Sequence, residues 1–307
     1  MTRRQVLTAY ALLTVAVAAF GAHTVVGRVA AGGIPPLALT FWRWLLALAV
    51  LLPLAWPHLR TNWPVLVAHR GKIAAASLFF VIGFNVLFYL GLHDTTAINA
   101  ALLNSVAPVV IVLVMWVGRL ERLTLRQGVG LAICLAGVVV VVCRGELGVL
   151  LTLGVNRGDL IFLLAILSFA LYSTVLRRLP GGLHPTIVMC AMIVVGLPVL
   201  APLYAWEYAA TGPFALSGGN LMILAYVVLG QAVIAFFCWM QGVRIIGANR
   251  SAIMFNLVPV FTALFALMFL GESLQPYHGA GFVLIFAGMC LALLGPSRAA
   301  TVEAPAP

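Results

Sequence analysis

Long apolar blocks alternate with short polar interruptions along most of this chain. Residues 6–26, 37–56 and 97–117 are three examples, and each is close to the ~20 residues that an α-helix needs to cross the hydrocarbon core of a bilayer. Because charged residues, glycines and prolines separate the blocks, the pattern predicts ten membrane-spanning helices. The predicted spans are residues 6–27, 35–56, 72–92, 97–117, 127–143, 158–177, 184–204, 219–242, 248–270 and 277–295.

Composition also indicates a lipid environment. Of the 307 residues, 64% are hydrophobic and 8% are charged, whereas a soluble domain carries roughly 25% charged residues. The sequence therefore predicts an all-α integral membrane protein with the lipid bilayer as its solvent. The formal net charge of +10 does not indicate a nucleic-acid partner, because the basic residues are spread singly between apolar blocks.

The cysteines give no sign of a metal site, and we expect no cofactor. All five lie in or at the edges of apolar segments, without the close Cys/His spacing of a metal site or a disulfide framework. They are Cys134, Cys143, Cys190, Cys238 and Cys290.

The distribution of Lys and Arg predicts how the chain is oriented. Cytoplasmic loops of membrane proteins hold an excess of both residues, and with the N-terminus inside, thirteen loop and terminal basic residues fall on the cytoplasmic side and three outside. Ten spans then return the tail at 297–307 to the cytoplasm, where its composition predicts disorder. The outside residues are Arg28, Arg144 and Arg157; the inside residues are Arg3, Arg4, Arg60, Arg70, Lys72, Arg119, Arg122, Arg126, Arg177, Arg178, Arg244, Arg250 and Arg298.

An internal repeat divides the chain into two related halves. Sliding the sequence by 151 residues places residues 85–145 over 236–296 without a gap, and an offset of 150 matches the earlier helices. The predicted five-helix units are residues 6–145 and 157–296. Because each unit has an odd number of spans, the second enters the membrane from the opposite side, as in inverted-repeat transporters. The paired positions include Pro108/Pro259, Glu121/Glu272, Gly130/Gly281 and Gly137/Gly288.

These repeated motifs resemble a known family. The first repeat carries the run Asn104-Ser105-Val106-Ala107-Pro108-Val109, and the second carries Asn256-Leu257-Val258-Pro259-Val260 followed by Gly271-Glu272-Ser273-Leu274. With them, residues 9–294 resemble the EamA-like members of the drug/metabolite transporter superfamily.

The resemblance implies a function and a place for the site. It implies a secondary transporter in a bacterial inner membrane that exports small metabolites such as amino acids, with drugs or other metabolites as the alternative substrates. It also implies a transport cavity lined by helices one to four and six to nine, with helices five and ten supporting the bundle.

Two prolines predict irregular helices in the middle of the bundle. Pro108 and Pro259 each lie inside an apolar helix, where proline removes a backbone hydrogen bond. Kinks at corresponding positions of two repeats are typical of a binding site, because freed carbonyls are tolerated at membrane depth only against protein or water. Helix bending for packing is the alternative interpretation.

Charged and titratable residues inside the spans are few. Arg43 is the most deeply placed cation, and it is either the counter-ion of a substrate carboxylate or the donor of a structural bond to a backbone carbonyl. His23 is the remaining candidate for proton coupling, although a neutral, hydrogen-bonded histidine is the more common arrangement. We expect no Asp or Glu near the midplane.

The remaining candidate residues divide into a polar and an apolar half. The polar half suits a neutral or zwitterionic ligand, and the apolar half suits an amphipathic one, so large hydrophobic or aromatic amino acids are the favoured substrates. Lipid-facing aromatic residues would give the same pattern. The candidate substrate-binding residues, with Arg43 and His23, are Trp42, Asn85, Tyr89, Asn104, Tyr172, Ser173, Phe236, Trp239, Met240 and Phe255.

Two further sets of repeated residues, the glutamates and the glycines, have expected structural roles. We expect Glu121 and Glu272 to cap the following helices, five and ten. The small residues Gly130, Gly137, Gly281 and Gly288 (two pairs, each on one helix face) predict close packing between helices within one molecule. The sequence does not predict the oligomeric state, and a monomer suffices for this arrangement.

Two other classes of membrane protein are disfavoured by the sequence. A membrane-embedded enzyme needs a catalytic cluster at membrane depth, and a channel needs a charged ring or a filter segment. Neither pattern is present in the predicted spans.

The orientation can be tested with reporter fusions. We expect a reporter that functions only in the cytoplasm to be active when it is fused after Arg298, because an even number of spans returns the chain to that side. Activity of a periplasm-only reporter at the same position would contradict the ten-span topology.

Overall fold

The computed structural model describes residues 3–120, 123–146, 148, 155–180, 182–247, 251 and 254–293, and these form helices without a strand. We label the helices along the chain. They are α1 (Arg3–Ala30), α2 (Pro36–Ala68), α3 (Arg70–Asp94), α4 (Ala97–Asn104 with Ala107–Val117), α5 (Leu125–Val142), α6 (Arg157–Leu176), α7 (Pro185–Thr211), α8 (Gly218–Ile246), α9 (Val258–Phe269) and α10 (Pro276–Leu293).

Most of these helices are long and apolar enough to cross a membrane. The seven that qualify alone are α1, α2, α3, α5, α6, α7 and α8, and the bent pair that forms α4 makes an eighth. The apolar helices α9 and α10 are shorter. The chain is therefore a multi-pass membrane protein, while the count of ten spans stays a prediction. The disordered cytoplasmic tail predicted for 297–307 lies outside the described residues.

The outer surface of the bundle is apolar. In the apolar windows of the seven long helices, only 22% to 44% of the residues are buried within the protein, so most residues of each window are at least partly exposed. Trp56, Trp63 and Trp206 are among the most exposed large side chains. Exposed tryptophan is typical of the level at which a membrane protein meets the lipid headgroups.

Two helices extend well past their predicted ends. Helix α2 continues to Ala68 through Pro53, Pro57 and Pro64, and α7 continues to Thr211. The predicted ends at 56 and 204 are too early. Pro57 removes only one backbone bond and does not end α2, and the charged Glu207 lies within α7.

The helices pack in pairs that match across the two halves of the chain. Helix α2 lies along α7, and α5 lies along α10. Helix α1 packs against α8 and α9, while α6 packs against α3 and α4. In the two halves α1 corresponds to α6, α2 to α7, α3 to α8, α4 to α9 and α5 to α10. Replacing each helix by its counterpart gives the same set of packed pairs.

Helices α5 and α10 approach each other at their glycines, as predicted. A Cβ added to Gly130 would lie 2.7 Å from the carbonyl oxygen of Gly288, and one added to Gly288 would lie 2.5 Å from the backbone nitrogen of Cys134. Both distances are too short for a real side chain. The two backbones are therefore in direct contact, and this contact forms inside one molecule.

Acidic side chains from elsewhere in the chain cap two helices at one end of the bundle. The Glu272 carboxylate accepts hydrogen bonds from the backbone N–H groups of Ala97 and Ile98, at distances of 2.8 and 3.0 Å, in the first turn of α4. The predicted cap of helix ten by Glu272 is therefore wrong. A carboxylate is stabilised at any helix N-terminus that lies within reach, and the sequence does not show that α4 is the nearest one. Glu121 lies outside the described residues.

The same end carries further bonds between helices. Glu207 of α7 accepts from the N–H groups of Leu37 and Ala38 in the first turn of α2, at 3.1 and 2.7 Å. Arg28 of α1 donates to the carbonyl oxygens of Leu92 and His93, at 2.7 and 2.6 Å, in the last turn of α3. The arginine lies at the C-terminal end of α3, and the two glutamates lie at the N-terminal ends of α2 and α4, where the helix dipole favours charges of those signs. These bonds join α1 to α3, α7 to α2, and the α9–α10 loop to α4.

The contact between α5 and α10 makes a direct prediction about stability. Replacing Gly288 with Val forces the two backbones apart and is expected to cost about 1–3 kcal/mol, as overpacking of a close contact does. Gly279 lies on the same helix with no atom within 4 Å of an added Cβ, so Gly279→Val is the matched control. Thermal unfolding of the detergent-purified variants would measure both effects, and equal unfolding temperatures would contradict the packing described.

Candidate functional site

A cavity of about 340 Å³ lies among the helices and is the candidate substrate site. Its volume is at the lower end of the ~300–1,000 Å³ typical of small-molecule sites. Residues from α1–α4 and α6–α10 line it, together with Phe255 and Asn256 just before α9. They are Phe20, His23, Thr24, Arg43, Trp44, Leu51, Phe80, Phe84, Asn85, Phe88, Ala101, Asn104, Ser105, Ala107, Pro108, Ile111, Phe169, Met189, Gln231, Ala232, Phe236, Phe255, Asn256, Val258, Pro259, Phe282, Ile285, Phe286 and Met289.

The polar side of the cavity is built around Arg43. Its side chain is 3% exposed, and its guanidinium donates to Asn85 Oδ1 at 2.5 Å, to Tyr89 Oη at 3.2 Å and to Gln231 Oε1 at 2.5 Å. These acceptors belong to α3 and α8, whereas Arg43 belongs to α2. One buried cation thus joins three helices at the cavity wall.

These bonds account for how a charge is tolerated in this position. Placing an arginine at the centre of a membrane helix costs ~2.5–3.5 kcal/mol on insertion scales. Hydrogen bonds to a charged group contribute roughly 1.5–3 kcal/mol each, so three of them offset that cost. The guanidinium also lies over the Trp44 ring, with its central carbon 4.7 Å from the ring centroid.

The network extends beyond Arg43 on both sides. Tyr89 Oη lies 3.4 Å from His23 Nε2, which connects α1 to the arginine. Asn85 uses its amide nitrogen to donate to the carbonyl oxygen of Phe80 at 2.6 Å. Both polar ends of Asn85 are therefore used, and its rotamer holds Arg43 in place.

Two stretches of π-helix flank the cavity at corresponding places in the two halves. They span Leu78–Phe84 within α3 and Tyr226–Ala235 within α8. A π-helix leaves carbonyl oxygens that need other partners, and it occurs often at functional sites. In α3, Asn85 and Ser168 supply such partners by donating to Phe80 and Phe79. In α8, Gln231 lies within the π-helical stretch.

Helix α4 breaks where the sequence predicts a kink. Its two halves meet at an angle of 44°, with Ser105 and Val106 between them, and Pro108 stands at the start of the second half. The turn at Asn256 and Leu257 places Pro259 at the start of α9 in the same way. Both breaks lie at the cavity.

Aromatic side chains form much of the remaining lining. The rings of Phe84 and Phe169 have centroids 5.3 Å apart, and those of Phe84 and Phe88 are 5.6 Å apart. On another side, Phe20 and Phe255 are 5.9 Å apart. A ligand in this cavity thus meets both polar groups and aromatic rings.

The sequence of this chain matches a known transporter family in both halves. The sequence matches the EamA-like transporter family over residues 7–143 and again over residues 156–294. The chain belongs to the EamA-like transporter family. The predicted membership is therefore confirmed. The protein is a transporter of the drug/metabolite superfamily.

Similar proteins from bacteria carry the same kind of description. The uncharacterized transporter YyaM of Bacillus subtilis is 27% identical over 69% of this chain and 69% of its own length. The uncharacterized inner membrane transporter YicL of Salmonella typhimurium is 25% identical over 85% of this chain and 86% of its own length. The protein in a solved crystal structure is 20% identical in sequence to this transporter. The two superpose over 96% of this transporter and 98% of that protein with a TM-score of 0.57, so they share the fold.

The transporter brings about half of its predicted site residues to the cavity. His23, Arg43, Asn85, Asn104, Phe236 and Phe255 line it, as do the two kink prolines. Tyr89 lies one layer behind, bonded to Arg43. Five others lie outside the lining: Trp42, whose indole donates to Tyr204; Tyr172, stacked on Phe80; Ser173, bonded to the Phe169 carbonyl; Trp239, packed on Phe20 and Phe255; and Met240.

Several lining residues are missing from the predicted set. Gln231 is polar and lies inside an apolar helix, a signal that could have marked it, whereas Trp44 and the phenylalanines resemble lipid-facing residues in sequence. Helix α10 was expected only to support the bundle, but it contributes Phe282 and Met289 to the lining. Besides α5, this helix contacts both halves of α4, which bring it to the cavity.

The break in α4 makes a testable prediction. Replacing Pro108 with Ala restores an N–H group that can bond to the Asn104 carbonyl and straighten the helix. Transport is expected to fall several-fold, because a continuous α4 biases the exchange between cavity-open states, while the unfolding temperature stays the same or rises. The measurement is uptake of a transported compound alongside thermal unfolding.

Pro198 supplies the control for this variant. It also lies inside a helix, α7, but it is exposed on the outside of the bundle and does not line the cavity. Normal transport by Pro108→Ala, or an equal loss in Pro198→Ala, would show that the break serves packing alone.

Proposed function

We propose that this protein is a secondary transporter that exports small metabolites from a bacterial cell across the inner membrane, with large hydrophobic and aromatic amino acids as its favoured substrates. The observation that carries the proposal is the cavity itself, which combines one buried cation and several amides with aromatic walls. An amino-acid carboxylate pairs with Arg43, and the side chain packs against the phenylalanines. Drugs and other metabolites are the alternative substrates.

The proposed mechanism is alternating access by two inverted repeats, residues 6–145 and 157–296, in a ten-span bundle with both termini in the cytoplasm. Three features support it: the family matches each half separately, a π-helix occurs at the same place in both halves, and the helix pairs exchange with one another under the repeat. Two halves that can exchange conformations give inward-open and outward-open states of similar energy.

A proton gradient is not required in this proposal. Among the described residues that line the cavity there is no Asp or Glu, and a carboxylate is the usual group for binding and releasing a proton in step with substrate. Among the same described residues His23 is the one histidine, and its Nε2 lies 3.4 Å from the Tyr89 hydroxyl oxygen. Transport then follows the substrate's own gradient.

Uptake into proteoliposomes tests the proposed substrate class. Labelled L-phenylalanine is expected to enter liposomes that contain the protein, and to compete with L-leucine and L-tryptophan. Ala232 lines the cavity, so Ala232→Phe should fill it and abolish uptake. Ala287→Phe, on the exposed face of α10, is the matched control and should retain uptake. Absence of uptake of any of these amino acids would contradict the substrate assignment.

The same liposomes test the independence from protons. Downhill uptake is expected to persist when the pH gradient is collapsed by an ionophore, and His23→Gln is expected to retain much of it. If uptake needs the gradient and the substitution abolishes that dependence, then His23 is the coupling residue and the mechanism proposed is wrong.

A further inference from the structure

Three buried nitrogen atoms at the polar end of the cavity have no hydrogen-bond partner. They are His23 Nδ1, Arg43 Nε and Trp44 Nε1, and the three side chains are 8%, 3% and 2% exposed. All three residues line the same cavity. Buried polar groups in native proteins are almost always paired. In this conformation all three are closed to a water-sized sphere, so a ligand in the cavity reaches them when the side chains turn towards it.

Arg43 Nε and Trp44 Nε1 always carry a hydrogen, and one assignment of the hydrogens along the chain from Arg43 to His23 places one on His23 Nδ1 as well. Arg43 Nη1 can only donate, so Tyr89 Oη accepts from it. We assign the Tyr89 hydroxyl hydrogen to the contact with His23 Nε2, 3.4 Å away, which makes this nitrogen the acceptor. A neutral imidazole with an accepting Nε2 carries its hydrogen on Nδ1. All three unpaired nitrogens, on His23, Arg43 and Trp44, are thus N–H donors.

The neighbouring acceptors are already in use. Asn85 Oδ1 and Gln231 Oε1 both accept from the Arg43 guanidinium. Of the described residues that line the cavity, Arg43 carries the one full charge, and no carboxylate balances it. This end of the cavity therefore offers unused donors and a positive charge, which suits an anion and gives an ammonium group no charged partner.

We propose that the cavity recognises its substrate by the carboxylate and the apolar body alone, and does not read an α-ammonium group. The carboxylate accepts from Arg43 and from the N–H groups of Trp44 and His23, and the body lies against Phe84, Phe88 and Phe169. The substrate class is then apolar monocarboxylates, aromatic ones above all, and an amino acid binds as one member of that class. This proposal rests on the proposed transport function and specifies its substrate.

A purely structural arginine does not account for the same observations. Bonds from Arg43 to Asn85, Tyr89 and Gln231 join α2, α3 and α8, and such a brace needs only the two terminal nitrogens of the guanidinium. It leaves Nε without a partner, and it gives no role to the unpaired donors of Trp44 and His23. In the proposal, a bound carboxylate gives them partners once the side chains turn towards the cavity.

Three compounds that share a phenyl ring separate the two ends of the substrate. L-Phenylalanine carries both charged groups, 3-phenylpropionate lacks the ammonium, and 2-phenylethylamine lacks the carboxylate. Binding to the detergent-purified protein is measured by ligand-induced thermal stabilisation, which requires no transport. We expect 3-phenylpropionate to bind within about threefold of L-phenylalanine, and 2-phenylethylamine to bind at least roughly tenfold more weakly.

Each outcome of this series decides the proposal. Binding of L-phenylalanine at least roughly tenfold tighter than that of 3-phenylpropionate would show that the ammonium is read, and would overturn it. Failure of both carboxylates to bind would overturn it too. Failure of L-phenylalanine uptake in liposomes, with both carboxylates still binding, would count against the proposed amino-acid export alone.

An isosteric variant tests the role of the Arg43 charge. Gln231→Glu keeps an oxygen for Arg43 Nη2 to donate to, so the fold is retained, but its carboxylate neutralises the guanidinium. Binding of 3-phenylpropionate is expected to fall at least roughly tenfold, while that of 2-phenylethylamine is unchanged or stronger. Unchanged binding of 3-phenylpropionate to a folded Gln231→Glu protein would overturn the proposal.

Gln127 supplies the matched control for this change. It lies at the start of α5, where its side-chain oxygen accepts from the backbone N–H and the hydroxyl of Thr124, and glutamate serves equally well in such a capping box. Gln127→Glu adds the same charge away from the cavity and should leave all three binding constants as they are.

Discussion

The burial of one guanidinium inside an apolar bundle is the constraint on which the rest of the site depends. A charge at that depth is stable only with several acceptors around it, and Arg43 obtains them from Asn85 and Tyr89 on α3 and from Gln231 on α8. Each acceptor must be held by its own helix. The polar wall is therefore a consequence of the arginine, and the helices that supply it cannot move apart without exposing that charge to the apolar interior.

The irregular backbone around the cavity follows from the same balance of hydrogen bonds. Carbonyl oxygens released at membrane depth need partners, because no water is available in the hydrocarbon core. In α3 the side chains of Ser168 and Asn85 supply them for the π-helical stretch, and the break in α4 lies against the cavity. Irregular backbone and polar side chains thus occur together, because the side chains bond to the carbonyl oxygens that the irregular backbone releases.

Much of the fold could be predicted from the sequence, because hydrophobic blocks and their interruptions depend on each segment alone. The positions of the helices, the break near Pro108 and the close approach at Gly130 and Gly288 are of this kind. Which helices meet is a different matter. Neither the cap that Glu272 provides for α4 nor the pairing of Gln231 with Arg43 has a local signature, since the partners are separated by more than a hundred residues.

The candidate site shows the same division. Arg43, Asn85 and His23 could be recognised because a polar residue within an apolar span needs an explanation. The phenylalanines and Trp44 could not, since an aromatic side chain facing lipid and one facing a cavity look identical in sequence. Pro57 of α2 was misleading in a related way, because a single lost hydrogen bond does not end that helix.

The most direct test of this account is an experimental structure of the protein with 3-phenylpropionate bound. The account predicts the carboxylate within hydrogen-bond distance of Arg43 Nε and Trp44 Nε1, with the phenyl ring against Phe84 and Phe169. A ligand found elsewhere, with these two nitrogens still unpaired beside an empty cavity, would contradict it.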